Sequence, residues 1–88
     1  MKNIKKKYEY PFTFNDVLAE IFNSNDKLWF QGEEFEDGTI ICLQNSSIQA
    51  VKFNNNNSPF MWTFRLTPGL YRMKYRRVYT QKDAMREL

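Results

Sequence analysis

The chain has no histidine, one cysteine, three glycines and three prolines among its 88 residues, and each scarcity removes a class of function. Without histidine, the commonest general base and metal ligand near neutral pH is missing. A single thiol, Cys42, makes neither an internal disulfide nor a thiolate zinc site. Three scattered glycines supply no Gly-rich phosphate loop or nucleophile elbow, and no metalloprotease motif occurs. Carboxylates remain at Glu33, Glu34, Glu36 and Asp37, but clustered about a hairpin turn they read as a solvated edge rather than an acid–base pair or a hard-cation site. The expectation is a protein that is not an enzyme and uses no metal or cofactor.

Long hydrophobic runs are absent too. No 18-residue apolar stretch exists to span a bilayer, and Met1–Lys7 lacks the apolar segment of a secretory signal. With its lone cysteine in an apolar, strand-like run, where a thiol usually serves as a small buried hydrophobe, the chain reads as a cytoplasmic protein without a membrane partner.

One further absence is local. Between Asp37 and Asp83 there is no carboxylate in 45 residues, which hold seven Lys or Arg side chains and seven aromatic rings. Cations attract anions by Coulomb steering, and ring faces offer platforms for bases or other planar groups. The net charge of +3 hides this segregation. Residues 1–7 carry four positive charges, residues 8–64 two basic against eight acidic groups, and residues 65–88 seven basic against two acidic, so +4, −6 and +5 sum to +3. Such a chain either presents its basic segment to an anionic partner or neutralises it internally, with the Glu33–Asp37 cluster facing the basic C-terminal strand.

The organisation is that of one domain, residues 8–88, behind a basic flexible tail at 1–7. A chain this short buries only about 60% of its unfolded surface, which makes a homo-oligomer the expected state. Thr13-Phe14-Asn15-Asp16 fits a capping box with an acidic N3, and Phe14, Val17, Leu18, Ile21 and Phe22 recur on one face of the helix that follows. Asn23-Ser24-Asn25-Asp26 ends it. A helix of two and a half turns is unstable alone and must lie on a sheet. Strands are predicted at Lys27–Gln31, Thr39–Leu43, Ile48–Phe53 and Phe60–Leu66, with Asp37-Gly38 and Asn45-Ser46-Ser47 as turns and 54–59 as a polar loop. In the last of these strands Phe60, Trp62, Phe64 and Leu66 are the expected core face, with Arg65 pointing outward.

After Thr67-Pro68-Gly69 two versions stay open. One is a long strand with an aromatic and a basic face. The other, slightly preferred, is a single helical turn capped by Thr67 with Pro68 first, then a closing strand over Tyr75–Tyr79. Thr80-Gln81-Lys82-Asp83 repeats the cap spacing before a terminal turn or short docking helix at Ala84–Leu88. The fold class is therefore α+β, one N-terminal amphipathic helix packed on a four- or five-stranded antiparallel sheet, with a possible short C-terminal helix.

The site candidates come from the basic, aromatic segment: Arg65, Arg72, Lys74 and Arg76 as anion contacts, with Tyr75 and Trp29 as ring platforms. Three partner classes remain open: an anionic, nucleotide-like small molecule, a single-stranded nucleic acid, and a host protein bound through Tyr and Arg hot spots. The order of elements, namely Phe14-Asn15-Asp16-Val17-Leu18-Ala19-Glu20-Ile21, an immediate strand with Trp29, and Leu66-Thr67-Pro68-Gly69-Leu70 turning into Tyr75-Arg76-Arg77-Val78, resembles the short phage proteins that counter the Thoeris bacterial immune system. The resemblance spans residues 12–79 as pattern, with Trp29 and Tyr75 at comparable positions. It implies a homo-oligomer that sequesters a cyclic ADP-ribose-type signal without hydrolysing it, in the cytoplasm of the host cell.

Overall fold

Thr13 opens the first helix as its sequence predicts. In the computed structural model, which describes residues 7–54 and 58–86, its hydroxyl accepts the Asp16 N–H at 3.1 Å. The Asp16 carboxylate in turn accepts the Thr13 N–H at 2.9 Å. Helix α1 runs over Phe14–Asn23. Phe14, Val17 and Ile21 are buried, while Phe22, expected on the same stripe, is exposed. At 100° per residue it sits about 80° from Phe14, at the margin of the stripe. Residues 1–6 of the expected basic tail and 55–57 of the Asn-rich loop lie outside the described residues.

Five strands follow: β1 (Trp29–Gly32), β2 (Thr39–Gln44), β3 (Ser47–Lys52), β4 (Phe60–Thr63) and β5 (Tyr75–Val78). They form one antiparallel sheet in the order β4-β3-β2-β1-β5. Gly38, at φ +86°, closes the β1–β2 connection. Gln44 pairs with Ser47 around Asn45 and Ser46, both at positive φ (52° and 67°), the geometry of a two-residue type I′ turn. Thr67 caps the short helix α2 (Pro68–Arg72), so the segment after Leu66 takes the turn-then-strand form rather than the long strand. Thr80 caps α3 (Gln81–Ala84), which starts directly after its cap, earlier than the predicted Ala84–Leu88.

The sheet buries both faces. On one, Phe30, Ile41, Ala50 and Tyr75 pack under Phe14, Val17 and Ile21 of α1, joined by Leu28. On the other, Ile40, Cys42, Val51, Phe53 and Val78 pack with Ala84 of α3, and Trp29 leans on this cluster. Cys42 is thus a core hydrophobe, its thiol pKa pushed up by burial.

The expected core face of β4 is corrected by this arrangement. Phe60, Trp62 and Phe64 alternate as predicted, yet Phe60 is 64% and Trp62 39% exposed. Only Phe64 reaches the core, stacking on Phe14 at 5.9 Å. A helix about 10 Å wide covers two or three strands spaced about 4.8 Å apart, and β4 lies at the edge beyond its reach.

Candidate functional site

The C-terminal part of the chain is tied to the sheet by a buried polar lock. Gln31, fully buried in β1, donates through Nε2 to the carbonyls of Thr39 (3.0 Å) and Ala84 (2.8 Å). Its Oε1 accepts from Arg76 Nη2 at 2.7 Å. Arg76 also donates to the Asp83 carboxylate (2.9 Å) and the Asp83 carbonyl (2.8 Å), and the same carboxylate accepts the Tyr79 N–H at 3.0 Å. Burial by itself pushes the Asp83 carboxyl up. The Tyr79 N–H, the Arg76 guanidinium and the Tyr8 hydroxyl outweigh it and hold the group below its ordinary range. The Tyr8 ring lies on the outer face of Arg76, 3.7 Å from the guanidinium carbon.

A cleft opens beside this lock, at the outer edge of β5. Phe12 and Tyr75 exchange backbone hydrogen bonds of 3.0 and 2.8 Å, so the segment before α1 covers the start of that edge. Farther along β5 the segment swings away. The space left, about 850 Å³ and open to solvent, is lined by Tyr8, Glu9, Phe12, Arg76, Arg77, Tyr79, Lys82 and Asp83 among others. Backbone groups alternate along a strand; since Tyr75 points its N–H and C=O outward to Phe12, Arg77 also turns its own toward the cleft. The Arg77 guanidinium sits 4.8 Å from the centre of the exposed Tyr79 ring and 5.6 Å from that of Phe30. Its buried Nε has no hydrogen-bond partner. Among the described residues neither Arg77 nor Lys82 forms an ion pair. The cleft therefore presents two cations without a direct ion pair, an outward N–H and an exposed tyrosine face, with Glu9 and Asp83 also at its wall. Its three basic against two acidic side chains leave a small positive excess suited to an anion attached to a planar group.

The six side chains expected to bind ligand do not converge. Tyr75, with no exposed surface, is a core residue whose hydroxyl donates to the Leu70 carbonyl at 2.6 Å, and burial pushes its pKa up to about 12. Arg76, only 5% exposed, is spent on the lock. β5 is covered on one face by α1 and on the other by α3, which leaves Tyr75 no surface for a ligand and Arg76 only a small part of its surface at the wall of the cleft. Trp29 packs on Phe53, ring centres 5.0 Å apart, on the α3 face. Arg72 and Lys74 flank a hollow of about 190 Å³ beside Thr13 and Asn15. Arg65 shares a third hollow, about 350 Å³, with Trp62, Leu70, Glu34 and Glu36. Trp62 and Arg65 thus meet in one concavity, and Tyr75 and Arg76 lie elsewhere.

Of the residues at this cleft, Tyr79, Lys82 and Tyr8 are not among the candidates read from the sequence, and Arg77 enters there only as a phosphate contact for nucleic acid. A signal that separates Arg77 from Arg76 existed. Neighbouring strand residues face opposite ways, and the Thr80 cap announces a helix docking on one face of β5, so either Arg76 or Arg77 had to be covered. Comparisons of this chain with protein-family models, with curated proteins and with solved structures find no match to any of them.

Proposed function

We propose that the protein is a stoichiometric binder of an anionic, nucleotide-like small molecule, held in the cleft at the outer edge of β5 and released chemically unchanged. One observation carries this reading: the Arg77 guanidinium, without an ion-pair partner among the described residues, lies against the exposed Tyr79 ring at the wall of the β5-edge cleft. Arg77 and Lys82 take the phosphates, and Tyr79 supplies a face for the base or another planar group. The missing histidine and the absence among the described residues of any acidic or thiol group clustered for metal binding favour capture over catalysis. The resemblance to the Thoeris-countering phage proteins suggests that the captured molecule is a cyclic ADP-ribose-type defence signal.

The test is a thermal-shift screen of nucleotides, including cyclic and ADP-ribose-type compounds, followed by titration calorimetry. At least one compound raises the melting temperature and is recovered intact, while Arg77→Ala weakens it about tenfold or more, the scale of a charge-assisted contact. No shift with any compound at about 500 μM, far above the Kd of a specific site, removes the proposal. Binding to single-stranded nucleic acid instead, with affinity falling steeply as salt rises, moves the reading to that partner class.

A further inference from the structure

The two edges of the sheet are treated differently. On β5 the chain covers its own edge through the Phe12–Tyr75 bridge, and the strand carries Arg76 and Arg77. On β4 neither safeguard is present. Nothing among the described residues pairs with its outer side, and Phe60-Met61-Trp62-Thr63 has no charge. All four residues are exposed, Met61 at 43%. Natural sheets blunt such an edge with lysine, a bulge or a cover, because unpaired N–H and C=O groups invite another strand.

The pattern of β4 selects its occupant. Phe60-Met61-Trp62-Thr63-Phe64 reads as a palindrome of ring positions about Trp62. The Phe64 N–H donates to the Ile48 carbonyl, which continues the ladder of Trp62 on Ala50 and Phe60 on Lys52. By alternation, Met61 and Thr63 aim their N–H and C=O groups at the open side. These two residues are placed symmetrically about Trp62 as well. We infer that a second copy of the chain pairs with this edge, antiparallel, about a two-fold axis at Trp62.

In that register Met61 of each copy exchanges hydrogen bonds with Thr63 of the other. The two Trp62 side chains face each other at a non-hydrogen-bonded pair, where Cα atoms approach to about 4.5 Å. Phe60 of each copy meets Phe64 of the other on the same face, and Met61 meets Thr63 on the opposite one, so rings meet rings. Arg65 comes opposite Pro59, and no like charges oppose one another. Two five-stranded sheets become one of ten. A single paired strand buries less than the roughly 800 Å² per partner of a standard interface, so the dimer is expected to dissociate on dilution. This surface lies at the opposite edge from the β5 cleft, and the inference stands whether or not that cleft binds a nucleotide.

Sedimentation velocity over about 1–500 μM, a range chosen for a weak interface, tests it. The wild-type chain shifts from monomer to dimer as concentration rises. Trp62→Glu and Trp62→Lys, each setting like charges face to face across the axis, stay monomeric alone and pair when mixed. Met61→Pro, which deletes an outward N–H, is monomeric with an unchanged far-ultraviolet circular dichroism spectrum. If that variant unfolds, the two Trp62 variants decide, since they alter an exposed side chain only. A wild-type chain that remains monomeric throughout overturns the inference and leaves the edge for a strand of another protein. A dimer unaffected by the Trp62 substitutions overturns it too, because the interface is then elsewhere.

Discussion

Adjacent residues of a strand turn to opposite faces, and in β5 that alternation separates two arginines that look equivalent in the sequence. Both border the cleft, but Arg76 is tied to Gln31, Asp83 and the Tyr8 ring, whereas Arg77 has no ion pair among the described residues. A buried pair is costly to break, because the partner left behind is charged and desolvated. Asp83→Asn is therefore expected to cost about 3 kcal/mol at neutral pH, measurable by urea denaturation. Its pH dependence has a definite sign. The folded pKa of Asp83 lies below its unfolded value of about 3.9, so its stabilisation is complete above that value and is lost as pH falls through the folded pKa. Wild-type stability drops more steeply than that of Asp83→Asn below about pH 4, and parallel acid limbs would disprove this role. Tyr75→Phe removes one buried hydrogen bond, to Leu70, and should cost about 1 kcal/mol with no effect on ligand binding.

At the scale of elements, the features encoded by neighbouring residues are legible in the sequence. The Thr13 capping box, the Thr67 and Thr80 caps and the apolar stripe of α1 depend on residues within one or two turns of each other, and their side chains name the geometry they need. The Asn45-Ser46 turn is equally local, although its second residue is a poor choice. Ser46 holds φ at 67°, where a Cβ is unfavourable and glycine is at ease. Ser46→Gly should stabilise the protein by about 0.5–1 kcal/mol, less than the full left-handed penalty because glycine also frees the unfolded chain. A melting temperature that falls would mean that the turn is not type I′ in solution. Lateral position was not legible. Alternation along Phe60–Phe64 says which side chains share a face, and says nothing about whether a helix lies over that face.

For the whole molecule, the decisive unknown in the sequence was strand order. β1 pairs with β2 next to it and with β5 at the far end of the chain, which makes β4 an outer strand and moves Phe60 and Trp62 out of the core. Charge segregation resolves in part as internal neutralisation, with Lys52 on Glu36 at 3.1 Å and Arg86 on Asp37 at 3.2 Å. Arg76, however, takes its carboxylate from Asp83 rather than from the acidic cluster, and this leaves Arg77 and Lys82 as the cations at the cleft that form no ion pair among the described residues. The nucleotide site we propose at the β5 edge keeps Arg76 at its wall and lies apart from Arg65, Arg72 and Lys74. Hydrogen exchange should follow the same layout. The amides of β1 and β2, paired on both sides and covered on both faces, should exchange slowest. Those of Met61 and Thr63 should be fast at low protein concentration and slow at high. Equal protection across all five strands would contradict it.

The position of β1 also orders events in time. Gln31 waits for a partner 45 residues later in the chain, so on the ribosome the β1-to-β4 meander emerges first, with one flank open on β1 and another on β4. At about 5–20 residues per second, the interval before Arg76 is synthesised lasts seconds, long compared with the microseconds in which hairpins form. During that interval neighbouring nascent chains on one message can pair through either flank. The arrival of β5 and α3 closes only the first, so synonymous codons that slow translation between Gln31 and Arg76 should lower the soluble yield without changing a single residue.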